Sequence, residues 1–168
     1  MNKYLIAEQI FKKYFTSSRA KFYEKDKVCS RVQALLFLTI SKLAFVKYNV
    51  QNLNFAATSN GPMVLEIYNL HSNYSFGYVF PFFSKTLGEK DDKELKVLNE
   101  IIKETINKTN NISTNQLIEH IKQNTPWSYP SENSSTTLIS DKLIKRFSKN
   151  EKNINKLFSF EKENLIEN

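Results

Sequence analysis

Apolar residues recur at helical spacing over most of the chain, interrupted by two short stretches that favour strand. Tyr4 to Phe15 carries two adjacent i, i+4 rows, Ile6/Ile10/Tyr14 and Ala7/Phe11/Phe15, which form a stripe on one helix. Thr16 to Lys27 is a charged connection. From Ser30 to Lys47 almost every position is apolar, with Gln33, Ser41 and Lys42 among the exceptions, as expected of a central helix buried on most sides. Asn49 to Asn60 is polar and broken, with a short strand at Leu53 to Thr58. Asn60-Gly61-Pro62 then reads as a helix start, since proline at the first helical position gives up a donor that has no intrahelical partner. The helix it opens runs from Met63 to His71. Phe76 to Phe83 is aromatic and β-branched but broken by Gly77 and Pro81, which suits an edge strand or a hairpin arm.

Beyond this point the pattern is again helical. Asp91 to Asn107 places Leu95, Leu98, Ile101, Ile102 and Ile106 on one face, with acidic residues in the first turn where the helix dipole favours them. Ser113 and Gln116 form a capping box ahead of Leu117, Ile118 and Ile121. Thr125-Pro126-Trp127 ends that helix, Ser131 to Thr137 is a polar loop, and Ser140 caps a short helix holding Leu143, Ile144 and Phe147. From Glu151 onward Ile154, Leu157, Phe158 and Leu165 keep roughly helical spacing, leaving open whether this tail docks or swings free. The expectation is one compact domain, residues 1–148, mainly α with a small β-sheet or hairpin (α+β) around a buried central helix. A helical C-terminal extension, 149–168, follows.

A chain of 168 residues with 40% hydrophobic, 13% aromatic and 24% charged positions suits a single folded domain. The longest apolar stretch, Ala34 to Val46, is too short for a membrane span and contains Lys42. Glu8 and Gln9 interrupt the start where a secretory signal needs an apolar run. With a single cysteine, Cys29, expected to be a small core residue, the reading is cytoplasmic and without contact to a membrane.

The formal charge of +7 is unevenly spread: residues 1–88 hold 11 Lys/Arg against 4 Asp/Glu, and residues 89–168 hold 13 of each. Lysines make up 21 of the 24 basic residues, and lysine lacks the planar fork that reads guanine or clamps phosphate. Together with abundant asparagine, this ratio looks more like an AT-rich genome than a selected nucleic-acid face. A basic patch of Lys12, Lys13, Arg19, Lys21, Lys25, Lys27 and Arg31, interleaved with Tyr14, Phe15, Phe22 and Tyr23, offers phosphate neutralisation and base stacking. Weak, non-specific nucleic-acid binding is expected of it, although a solvated connection between two helices uses the same residues.

Candidate chemistry is sparse. Gly61, Gly77 and Gly88 stand too far apart for a phosphate-cradling loop. Cys29, His71 and His120 have no ligand spacing for zinc, and neither histidine has an elbow serine or a paired acid. Glu89, Asp91 and Asp92 suit a helix N-terminus rather than a calcium loop. No catalytic residue, metal or cofactor is assigned, and the chain is read as a non-enzyme.

The order of the motifs is more informative. The Tyr4 to Phe15 helix precedes Val32-Gln33-Ala34-Leu35-Leu36-Phe37, and Ala57-Thr58-Ser59-Asn60-Gly61-Pro62-Met63-Val64 is followed by Tyr68. Then come the acidic Asp91 to Asn107 helix, Pro126-Trp127, and Ile139-Ser140-Asp141-Lys142-Leu143-Ile144. Over residues 4 to 148 this series resembles the Panacea domain, also called the SocA-like antitoxin domain, of many bacterial and phage proteins. Thr58 stands where that family prefers Trp, Ala34 replaces its usual Lys, and Ile121 and Lys122 replace a Thr-His pair.

The resemblance implies an antitoxin that neutralises a co-encoded toxin by binding it directly. Its signature residues here are Gln33, Ala57, Gly61, Pro62, Tyr68, Pro126 and Trp127. An aromatic-rich surface of Tyr68, Tyr74, Phe76 and Tyr78 is the candidate partner-binding face. The alternative is a nucleic-acid-binding regulator of bacterial or phage origin that uses the basic N-terminal segment.

Overall fold

A computed structural model describes residues 1–16, 25–73, 92–131 and 134–160. Their elements run α1 (Lys3–Thr16), α2 (Lys25–Phe45), β1 (Phe55–Thr58), β2 (Gly61–Val64), α3 (Leu65–Asn73), α4 (Asp92–Thr109), α5 (Thr114–Gln123), β3 (Thr137–Leu138), α6 (Asp141–Ser148) and α7 (Glu151–Leu157). The fold is mainly α with one small antiparallel sheet, as the sequence pattern predicts.

The apolar run becomes the centre of the molecule. Helix α2 packs against α1, α3, α4, α5, α6, α7 and strand β2. Leu35, Leu36, Phe37, Leu38, Ile40 and Leu43 are each at most 1% exposed, so neighbours surround the helix on most of its circumference. Full burial of such side chains contributes about 1.5–3 kcal/mol each. Helix α4 turns Leu98, Ile101 and Ile102 inward, and the capping box at Ser113 and Gln116 opens α5. Ile154, Leu157 and Phe158 of the tail are also buried, so the extension docks as α7 on α2 and α6 through residue 160. Cys29 is half-buried rather than part of the core.

The sheet has strand order β2-β1-β3. Its first two strands form a hairpin in register Phe55↔Val64 to Thr58↔Gly61. The helix expected from Pro62 is thus displaced: Gly61 to Val64 is strand, and helix begins only at Leu65. Neither Ser59 nor Asn60 has a positive φ, and Gly61 supplies it at +88°, as in a hairpin turn followed by a glycine bulge. A proline φ suits an edge strand as well as a helix start, so the local signal was two-valued.

Strand β3 pairs with β1 at Ala56↔Leu138 and Ala57↔Thr137, where the sequence reads as loop up to Thr137. Ser140 precedes α6 but makes no side-chain cap bond. Instead the Asp141 carboxylate reaches back to accept from the Leu53 (3.0 Å) and Asn54 (3.3 Å) amides, tying α6 to the entry of β1. The expected strand at Phe76 to Phe83 lies outside the described residues.

Candidate functional site

Four of the signature residues meet where α2 touches the hairpin. Gln33 is fully buried; its Oε1 accepts from the Val64 amide at 2.9 Å and its Nε2 donates to the Val64 carbonyl at 3.5 Å. The side chain therefore answers a backbone donor and acceptor on the outer edge of β2 as a further strand would. Ala57 is buried on β1 opposite Pro62. A Cβ built on Gly61 would approach Ile118 Cγ2 of α5 to 3.3 Å, so glycine here answers both the turn and the packing of α5. Thr58 closes the turn: its Oγ1 donates to the Gly61 carbonyl at 2.9 Å and accepts from the Asn60 amide at 3.1 Å.

Trp127 stands one helical turn along α2, over Phe37. Its ring meets Phe37 edge-on at 5.6 Å and Phe147 of α6 at 5.5 Å, and Phe37 continues the series to Phe55 of β1 at 5.5 Å. The indole N–H donates to the Tyr129 hydroxyl, which lies 2.9 Å from Thr125 Oγ1. Burial pushes the Tyr129 phenol up to about 12. Pro126 is exposed beside Trp127, and Tyr68 is half-buried on α3. The signature residues from Gln33 to Trp127 are thus joined through α2, with Tyr68 and Pro126 at the margin.

The other candidate residues are less closely grouped. Tyr74, Phe76, Tyr78, Arg19 and Lys21 lie outside the described residues, as do the side chains of Lys25, Lys27 and His71. Lys12 forms an ion pair with Glu8 at 2.5 Å, and Lys13 is half-buried. Arg31 is not part of an exposed basic patch: it is 2% exposed, and its guanidinium donates to the carbonyls of Thr109 (2.7 Å) and Ile112 (2.9 Å). Thr109 ends α4, where carbonyls lack intrahelical partners and a cation is favoured, and Ile112 lies just beyond it. His120 fastens the tail. Its Nε2 donates to the Leu157 carbonyl at 3.0 Å, a carbonyl being able only to accept, and its ring lies 4.7 Å from that of Phe160.

Sequence patterns missed a polar clasp between α1, α3 and the entry of β1. Glu66 Oε2 lies 2.8 Å from Lys3 Nζ and accepts from the Tyr4 hydroxyl at 2.7 Å, while Asn54 Nδ2 donates to Oε1 at 3.1 Å. The Lys3 and Tyr4 bonds hold the Glu66 carboxyl down at about 2. Burial, with Glu66 alongside, pushes Tyr4 up to about 12. Asn52 and Asn54 both carry positive φ, at 52° and 51°, a conformation asparagine tolerates better than most residues. The closely spaced asparagines were the available signal, but nothing local pointed to Lys3 or Glu66.

The two most exposed large apolar side chains among the described residues are a different kind of feature. Leu138 of β3 is 74% exposed and Leu143 of α6 is 53% exposed. Lys142, Arg146 and Lys149 are exposed around Leu143. Among the described residues no group of three or more His, Cys, Asp or Glu side chains is placed to hold a metal ion, and no helix is long and apolar enough to cross a membrane. Compared with known proteins, the chain matches no family model, no curated sequence and no solved structure.

Proposed function

We propose that this chain is an antitoxin-like protein of the bacterial or phage cytoplasm that neutralises a co-encoded toxin by binding it directly. The observation that carries the reading is the pair of exposed leucines, Leu138 and Leu143, on a strand edge and an adjacent helix with an otherwise basic outer face. Exposed apolar side chains close in sequence to basic ones suit a protein-binding surface. The motif order supports the same reading, as does the use of Gln33, Gly61 and Trp127 in fixing the helix, hairpin and loop to one another. Such residues build a rigid scaffold, and a scaffold inhibits by occlusion. The basic N-terminal segment contributes at most weak nucleic-acid binding that falls steeply with salt, since Arg31 is withdrawn into the core.

Co-expression with the neighbouring gene tests the proposal. The neighbour is expected to arrest growth when expressed alone, and growth is expected to return in proportion to the amount of complex recovered. A neighbour that is harmless alone, or a folded complex that gives no protection, would contradict it.

A further inference from the structure

The two outer edges of the sheet are treated differently, and the hydrogen-bond parity says how. Ile139 donates to the Phe55 carbonyl at 2.7 Å, so residues 55 and 139 form a hydrogen-bonded pair and the adjacent Ala56↔Leu138 pair does not. The backbone N–H and C=O of Leu138 therefore point away from β1. The same alternation, carried across β1, turns the backbone of Pro62 and Val64 outward on the opposite edge. There Gln33 takes both polar groups of Val64, and Pro62 has no N–H to offer, so that edge presents no free donor. On the β3 edge no described residue bonds to Leu138, and its side chain is 74% exposed.

Helix α6 follows β3 after two residues. Asp141 faces the segment leading into β1 through its bonds to Leu53 and Asn54. Leu143, two residues on and about 200° around the helix, faces the other way. Lys142 and Arg146 share that outer face, and among the described residues neither has an acidic partner.

We propose that the β3 edge and the outer face of α6 receive an extended, acidic and apolar segment of a partner protein, added as a fourth strand beside Leu138. This deepens the protein-binding reading above and rests on it. Backbone groups facing outward require a strand as occupant. Leu138 and Leu143 call for apolar side chains on it, and Lys142 and Arg146 for acidic ones. Because β3 is only two residues long, the segment is short.

The probe is a peptide of about seven residues, blocked at both ends and alternating glutamate with valine. It is titrated into the full 15N-labelled chain while amide shifts are followed. Saturable shifts confined to Thr136–Leu138 and Lys142–Arg146 are expected. Leu138→Pro removes an outward N–H without touching the bond from Ile139, and a Lys142→Glu/Arg146→Glu double variant reverses the charge; each is expected to weaken binding by about tenfold or more. The double variant changes exposed side chains only, so it decides the matter even where the proline disturbs the strand. A peptide alternating lysine with valine is expected not to bind. Shifts mapping elsewhere, no saturation at about 1 mM, or equal binding by the double variant overturns the proposal. Peptide binding here beside a harmless neighbouring gene product would leave the docking edge standing and remove the antitoxin reading. A protective toxin complex indifferent to both variants would do the reverse.

Discussion

Gln33 joins the helical layer to the sheet through two hydrogen bonds to one residue, Val64. Gln33→Leu keeps the volume but leaves a buried amide and carbonyl without partners, so a loss of about 1–3 kcal/mol is expected in urea unfolding. Gly61→Ala places a Cβ at φ +88° and against Ile118, and a loss of about 1–2 kcal/mol is expected by the same measurement. Glu66 provides a pH signature. Its carboxyl falls from an ordinary 4.5 to about 2 in the folded chain, so its contribution is present above about 4.5 and is lost as pH falls towards 2. The Glu66 side chain is 47% exposed, so solvent screens the clasp and Glu66→Gln is expected to cost no more than about 1 kcal/mol near neutral pH. The difference between the two chains is expected to shrink as pH falls from about 4.5 towards 2, and a difference undiminished over that range would remove this assignment. At this scale the sequence was least legible. Arg31 reads as one more cation in a basic run, and only the arrival of the α4 C-terminus turns it into a buried donor.

Between elements, the Asp141 carboxylate does the work expected of Ser140, but for a different segment: it holds amides 88 and 87 residues earlier in the chain. Asp141→Asn replaces half of the acceptor pair with a donor, so the Leu53 and Asn54 amides are expected to exchange with solvent faster while those of α2 are unchanged. Helices α2 and α4 were legible because their apolar pattern agrees with where they pack, and the capping box of α5 is a signal contained in four residues. The hairpin was only half legible. Gly61-Pro62 suits a helix start and an edge strand alike, and the choice is made by Gln33 and Ile118 from other elements. Strand β3 left no apolar alternation to read, being two residues long with both side chains exposed.

Over the whole molecule, the candidate site divides along the same line. Gln33, Ala57, Gly61, Pro62 and Trp127 were singled out in the sequence by motif order, and the structure places them around α2. The open edge at Leu138 was not, because a leucine just after a polar loop acquires meaning only when β1 takes one side of its strand. The central claim is that this scaffold serves to bind another protein stoichiometrically. The most direct measurement is calorimetric titration of the purified full chain with the purified product of the neighbouring gene, with light scattering on the mixture. Saturation at a fixed simple ratio, a single species of the summed mass, and loss of the partner's toxicity at that same ratio are expected. Two folded proteins that release no heat and elute separately, or a complex whose partner stays toxic, would contradict the account.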